Sequence, residues 1–254
     1  MSFDVSASAY DRFMGQYSEP LADLFADWSQ IHPGQRALDV GCGTGALTEQ
    51  LARRLGTSAV VAVDPSASFV AATQLRVAGL DVRLAGAEHL PFADAEFTVT
   101  LAQLVVHFMT DAVGGLREMA RVTRAGGLVT ACVWDHAGDR GPLASFWNAV
   151  AELDPDASGE AALAGTREGH LVELFADAGL QQIESSTLTV TRHFDSFDAW
   201  WRPYTLGVGP AGAYVNGLTH AERIALRDRC AELLPAESFA VSAMAWCARG
   251  VVAA

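Results

Sequence analysis

The chain has 254 residues, half of them hydrophobic and 19% charged, and thirty acids outweigh seventeen bases for a net charge of −13. All seventeen bases are arginine, and no lysine is present anywhere. That excludes lysine Schiff-base chemistry and a Walker-type phosphate loop, and the acidic balance argues against nucleic acid and anionic membrane surfaces as partners.

A helical segment is expected over residues 1–35, and its start has neither the basic region nor the apolar stretch of a leader. Arg36–Val40 is an apolar run, the first predicted strand, and it ends in a Gly-rich turn. Ala46–Leu55 then sets Leu47, Leu51 and Leu55 on one helical face. Ala59–Val63 reads as a second buried strand closed by Asp64 and Pro65, with Ser66 placed to cap a helix through about Val77. Asp81–Ala85 predicts a third strand, and Phe97–Val106 contains a fourth. Asp111 is placed to cap a helix carrying Leu116, Met119 and Ala120, and the turn Arg124–Gly127 leads into a fifth strand, Leu128–Trp134. Strands and helices alternating at this spacing build right-handed βαβ units and a parallel sheet covered on both faces.

The second half changes character. Residues 136–168 and 195–238 read as cap insertions on the substrate side, the first with a helix around Phe146–Leu153. Glu168–Ala178 predicts a helix stopped by Gly179. Leu180–His193 and Phe239–Arg249 alternate like strands, and His220–Leu234 like an amphipathic helix. Trp200, Trp201, Arg202, Tyr204 and Tyr214 either roof an acceptor or pack a satellite core. The four cysteines, Cys42, Cys132, Cys230 and Cys247, form no CxxC pair. No apolar run approaches the ~18 residues of a membrane span. A cytoplasmic protein with reduced thiols is expected.

The chemistry concentrates in Leu38-Asp39-Val40-Gly41-Cys42-Gly43-Thr44-Gly45. Alternating glycines between a strand and a helix let a ligand approach the backbone, and free N–H groups with the helix's positive end are expected to face it. Gly41, Gly43 and Ala46 also satisfy the dinucleotide fingerprint, and Asp64 stands nineteen residues after Gly45, suited to ribose hydroxyls in either case. Asp39 separates the two readings, because a carboxylate beside the turn repels a pyrophosphate and suits a ligand bearing an ammonium and a sulfonium.

This stretch resembles the first motif of class I S-adenosylmethionine-dependent methyltransferases. Val61-Ala62-Val63-Asp64-Pro65-Ser66 resembles their acidic second motif, Ala87-Glu88-His89-Leu90-Pro91-Phe92 their A-E-x-L-P-F stretch, Phe97–His107 their fourth strand and following loop, and Arg121–Gly127 their turn before strand five. Tyr10-Asp11 and Tyr17 resemble the N-terminal Tyr-Asp segment more loosely. The nearest kin by these motifs are small-molecule enzymes of the ubiquinone/menaquinone-biosynthesis type. The resemblance implies one α/β domain over residues 1–254. It would be Rossmann-like and doubly wound, with a mostly parallel seven-stranded sheet, an antiparallel last strand, a cofactor-binding half at 36–135 and a small cap. It implies S-adenosyl-L-methionine as cofactor and a small-molecule methyl acceptor. Asp39, Gly41, Cys42 and Gly43 would line the methionine part, and Tyr10 and Tyr17 would lie nearby. Asp64 would take the ribose, Pro65, Ser66, Ala87 and Glu88 the adenine, and Ala102, Gln103 and His107 the region of the methyl group. Gly86 and Thr98 depart from the family, which often has Asp at both positions.

Direct displacement from a sulfonium needs alignment more than covalent help. His107, after the fourth strand, is the first candidate base, and Asp135-His136 is a second, as a carboxylate–imidazole pair facing the acceptor. His170 and His193 have no ligand-spaced partners, and no metal is expected. The competing readings are an NAD-dependent oxidoreductase and a non-catalytic relative that keeps the fold.

Overall fold

The structure is a computed structural model and describes residues 6–253. The leader-free start read from Met1–Val5 lies outside the described residues. Strands β1 (Ala37–Val40), β2 (Val60–Asp64), β3 (Asp81–Leu84), β4 (Phe97–Gln103), β5 (Thr123–Trp134), β6 (Gln181–Phe194) and β7 (Phe239–Val251) form one sheet in the order β3-β2-β1-β4-β5-β7-β6. β1 to β5 pair in parallel, and β7 runs antiparallel between β5 and β6. The first half follows the expected alternation, with helices α3 (Ala46–Leu55), α4 (Ala67–Arg76) and α5 (Ala112–Val122) between the strands. Asp111 caps α5, its carboxylate accepting from the Gly114 N–H.

β1 and β2 are buried along their whole length, as central parallel strands must be when helices cover both faces. Alternation then sends Leu38 and Val40 to one core with Val61, Leu116 and Phe175. Ala37 goes to the other core with Leu47, Leu51 and Phe25. Asp39 shares the Ala37 face, which puts its carboxylate under α3.

One expectation needs correction. The turn expected at Arg124–Gly127 is absorbed into β5 as a bulge: pairing advances from Phe97 to Val99 on β4 while β5 advances from Thr123 to Leu128. Gly127 is required there, because a Cβ would meet the Thr98 carbonyl oxygen at 2.7 Å. Thr98, at a position where the family often has Asp, is at the start of β4, away from the carboxyl ends of the strands. Its hydroxyl accepts from the Arg36 N–H at 2.8 Å and donates to the Arg36 carbonyl at 3.0 Å.

The N-terminal segment is helical as expected, with α1 (Ala7–Tyr10), a π-turn over Asp11–Gly15 and α2 (Gln16–Trp28). Beyond β5 come α6 (Ala144–Leu153), α7 (His170–Asp177), α8 (Phe197–Trp201), α9 (Gly209–Gly217) and α10 (His220–Leu233). Trp200 and Trp201 sit on α8, and both are buried. They pack with Tyr204, which stacks on Phe146 of α6 at 4.6 Å and meets Phe13 edge-on at 5.1 Å. Arg202 is exposed. The Tyr214 hydroxyl donates to Asp154 at 3.0 Å.

Candidate functional site

After Val40 the chain turns through Gly41–Gly45 into α3. Gly41 has φ +73°, and a Cβ on it would lie 2.4 Å from Cγ2 of Val105 in the loop after β4. Gly41→Ala is expected to cost about 2 kcal/mol through left-handed strain and crowding, seen as a lowered thermal midpoint.

The N–H groups of this turn point inward. Gly41 and Cys42 both donate to the Val63 carbonyl at 2.8 and 2.9 Å, and Gly45 donates to the Cys42 carbonyl at 2.9 Å. Gly43 donates to Oδ2 of Asp64 at 2.9 Å. The expectation of free N–H groups facing a ligand needs correction at Gly41, Cys42, Gly43 and Gly45, whose donors go to Val63, Asp64 and Cys42. An anion finds few donors here, whereas a cation finds carboxylates.

Two carboxylates stand at the turn. Asp39 is 1% exposed and accepts from the Thr48 hydroxyl of α3. Burial pushes its carboxyl up to about 7. Asp64 is 5% exposed, and burial raises it too, against the lowering effect of the Ser66 and Gly43 N–H donors. Its Oδ1 takes the Ser66 N–H at 2.8 Å, so Asp64 braces the turn as well as facing the cleft. A third acceptor is Oε1 of Gln103 at the end of β4, buried and unpartnered among the described residues, while Nε2 of Gln103 donates to the Ser18 carbonyl at 2.9 Å. Two carboxylates and one unused carbonyl oxygen form an acceptor set for a ligand that brings N–H groups and positive charge.

A cleft of about 250 Å³ opens beside the turn. Tyr10, Gly41, Gly43, Asp64, Pro65, Ala87, Glu88 and Gln103 all line it, with Gly86 beside Ala87. Asp39 and Cys42 reach a narrow recess continuous with the same residues, together with Tyr10, Gly41, Gly43 and Gln103. Glu88 holds the far loop, its Oε1 accepting from the Thr110 N–H at 2.9 Å. Tyr10 packs edge-on against Phe69 of α4 at 5.2 Å, and Thr44 donates to Asp11 across the π-turn. The structure does not bring the remaining residues to the cleft. Tyr17 is buried against Trp134 and Phe194, Ala102 lies in the second core, and Ser66 starts α4 outside the lining. Burial pushes the Cys42 thiol well up, which leaves it inert as a nucleophile.

A second pocket adjoins the cleft through a shared wall of Tyr10, Leu104 and Phe108. Its remaining walls include Phe13, Trp134, Leu143, Val208, Pro210 and Ala211, and three polar side chains face in: His107, His136 and Glu160. His107 lines this pocket and not the cleft. Burial and the nearby His136 hold its imidazole well below the usual range, and its Nδ1 has no partner among the described residues. Burial lowers His136 to about 4. The expected Asp135–His136 pair does not form. Oδ2 of Asp135 accepts from Nε of Arg140 at 2.5 Å and Oδ1 from the Gly138 N–H at 2.9 Å, while His136 lies 6.0 Å from the His107 ring. Glu160 escaped the sequence reading. It comes from the irregular stretch between α6 and α7, is 4% exposed, and accepts from Nε1 of Trp147 at 3.0 Å. Its only sequence signal is a carboxylate set in the small-residue run Ser158-Gly159-Glu160-Ala161-Ala162.

Residues 38–131 match the methyltransferase domain family Methyltransf_11. The malonyl-(acyl-carrier protein) O-methyltransferase of Serratia marcescens is 31% identical over 129 residues, covering 48% of this chain and 50% of that protein. The ubiquinone/menaquinone biosynthesis C-methyltransferase UbiE of Xanthomonas campestris is 36% identical over 110 residues, 41% of this chain and 44% of that one. The chain thus spans about half the length of these curated relatives, and both matches are partial. Over the whole fold, the YcgJ protein of Bacillus subtilis superposes with a TM-score of 0.58 at 15% identity, covering 92% of this chain and 98% of that chain.

Proposed function

We propose that this chain, which belongs to the class I S-adenosylmethionine-dependent methyltransferase superfamily, transfers a methyl group from S-adenosylmethionine to a small, largely apolar acceptor. The observation that carries the reading is the pair of adjoining chambers, an acidic cleft and an apolar pocket, with Tyr10, Leu104 and Phe108 between them. When bound, the cofactor supplies a methyl group on a cationic sulfur that leaves as a neutral thioether.

The chain's own residues do the rest. Asp39 and Gln103 Oε1 receive the ammonium, Asp64 receives ribose hydroxyls on its remaining lone pairs, and Ala87 with Gly86 borders the adenine. Gly86 leaves room there that an Asp side chain would fill, and Glu88, engaged with Thr110, closes that end. The apolar pocket excludes water and holds the acceptor atom in line with the methyl carbon, which alone contributes up to roughly 7–11 kcal/mol. As the new bond to carbon forms and the carbon–sulfur bond breaks, the acceptor loses its proton to a base or to solvent. His107 and His136 face that atom as neutral imidazoles, but burial makes both weak bases. They serve an acceptor whose proton is already acidic, such as a phenol or an enol, better than an aliphatic alcohol. We assign residues 136–168 and 195–238 to the acceptor side, since Leu143, Glu160 and Val208–Ala211 come from them.

The acidic turn disfavours a dinucleotide, whose pyrophosphate needs the N–H groups that the turn has spent internally. Calorimetric titration tests the reading. S-adenosylmethionine is expected to bind and NAD is not, and labelled methyl is expected to reach an apolar metabolite in an extract. Binding of neither ligand would remove both enzyme readings, and binding without any transfer would leave the non-catalytic one.

A further inference from the structure

The apolar pocket contains more polar chemistry than its walls explain. His107 comes from the turn after β4, His136 from the loop after β5, and Glu160 from the loop between α6 and α7. One potential ligand atom from each lies within 4.8 Å of the other two, and all three residues are buried. Among the described residues a single hydrogen bond reaches any of these side chains, from Trp147 to Glu160, and Nδ1 of His107 is buried without a partner. Bringing three ligating groups out of water to one point is costly unless something there engages them.

We propose that His107, His136 and Glu160 form a binding site for a divalent first-row transition-metal ion, with an open position facing the acceptor. Two imidazoles and one carboxylate are the donor set of catalytic zinc and of non-haem iron sites. Imidazole ligands argue against magnesium or calcium, which prefer oxygen alone. A tetrahedral ion with bonds of about 2.1 Å sets its donors roughly 3.4 Å apart, so the three side chains need to close by little more than about an ångström. Trp147 already fixes Glu160 from behind, as outer partners of metal ligands do. The site rests on the methyl-transfer reading only for its role: with three protein ligands, the open position takes a heteroatom of the acceptor and lowers its proton affinity. The sequence reading expected no metal. Its spacing rules look along the chain, and Glu160 lies fifty-three residues beyond His107.

The test uses the whole chain and two independent titrations. Co²⁺ added to metal-free protein is expected to bind with one equivalent and visible d–d bands, and Zn²⁺ is expected to displace it. His136→Ala and Glu160→Gln are each expected to weaken Co²⁺ binding at least about tenfold while leaving S-adenosylmethionine affinity unchanged, since neither residue lines the cleft. That unchanged affinity also reports that the variants fold. The proposal is overturned if Co²⁺ and Zn²⁺ do not bind the parent, or if both variants bind Co²⁺ as the parent does. Loss of S-adenosylmethionine binding by the parent would instead count against the methyl-transfer reading, with the metal result standing by itself.

Discussion

Asp39→Asn is expected to weaken S-adenosylmethionine binding by roughly ten- to a hundredfold while leaving the unliganded protein as stable as the parent or more so. The reason is that Asp39 is a buried carboxyl with no cation beside it. Among the described residues its hydrogen bonds come from Thr48, from the hydroxyl and from the backbone N–H, and an amide oxygen can accept from the hydroxyl as well. The lost affinity is that of a charge-assisted contact, about 1.5–3 kcal/mol. The pH dependence has a definite sign. In the folded chain the carboxyl is raised to about 7 from its ordinary 3.8. The stability it contributes is therefore complete below about 4 and is lost as pH rises through about 7. The neutral variant escapes that loss. For the ligand the sign is opposite: below about 7, a cation must displace a proton from Asp39, so parent affinity climbs with pH and then levels off. Asp64, the other acid at the turn, is raised as well and adds to the same trend. Titrations in two buffers of different ionisation enthalpy would read the released proton directly. An asparagine variant with parental affinity across this range would show that Asp39 does not hold the ammonium.

Trp200→Ala is expected to lower stability by about 3–5 kcal/mol, the usual cost of deleting a large buried aromatic. For a chain of this size that is roughly 6–20 °C in the thermal midpoint. Trp200 is 2% exposed and lies 4.7 Å from the Tyr204 ring, centroid to centroid. Tyr204 in turn ties α6 to the N-terminal segment through Phe146 and Phe13. Trp200 lines none of the three cavities, so cofactor affinity below the melting transition should not change. A normal midpoint with collapsed turnover would mean instead that the aromatic group acts as a roof over the acceptor.

The cofactor half was legible in the sequence because its chemistry is local. Asp39, Gly41 and Gly43 share one turn, and Asp64 ends the very next strand, so strand pairing alone sets them side by side. What the sequence hid was hydrogen-bond competition. Nothing along the chain reveals that Val63 and Asp64 take the N–H groups of the turn, or that Arg140 claims Asp135 and so breaks the pair expected with His136. The Gly-rich stretch inside β5 reads as a turn because a bulge and a turn need the same residue at the same place, and only the Thr98 carbonyl opposite Gly127 decides between them. The acceptor side was legible least. Its walls come from five separate stretches, and Glu160 sits in a segment without periodicity, where no pattern marks a residue as buried.

The wall shared by the two chambers has a consequence for how the protein should be studied. Tyr10 lines both chambers and the recess behind them, and Leu104 and Phe108 line both chambers. Any adjustment of these side chains on filling one chamber changes the other. Cofactor and acceptor affinities are then thermodynamically coupled, and by reciprocity each ligand must alter the other's dissociation constant by the same factor. An acceptor search on the bare protein therefore samples the wrong affinity. The informative screen saturates the cleft first with a non-reacting cofactor analogue, and the same coupling factor should return when the order of titration is reversed.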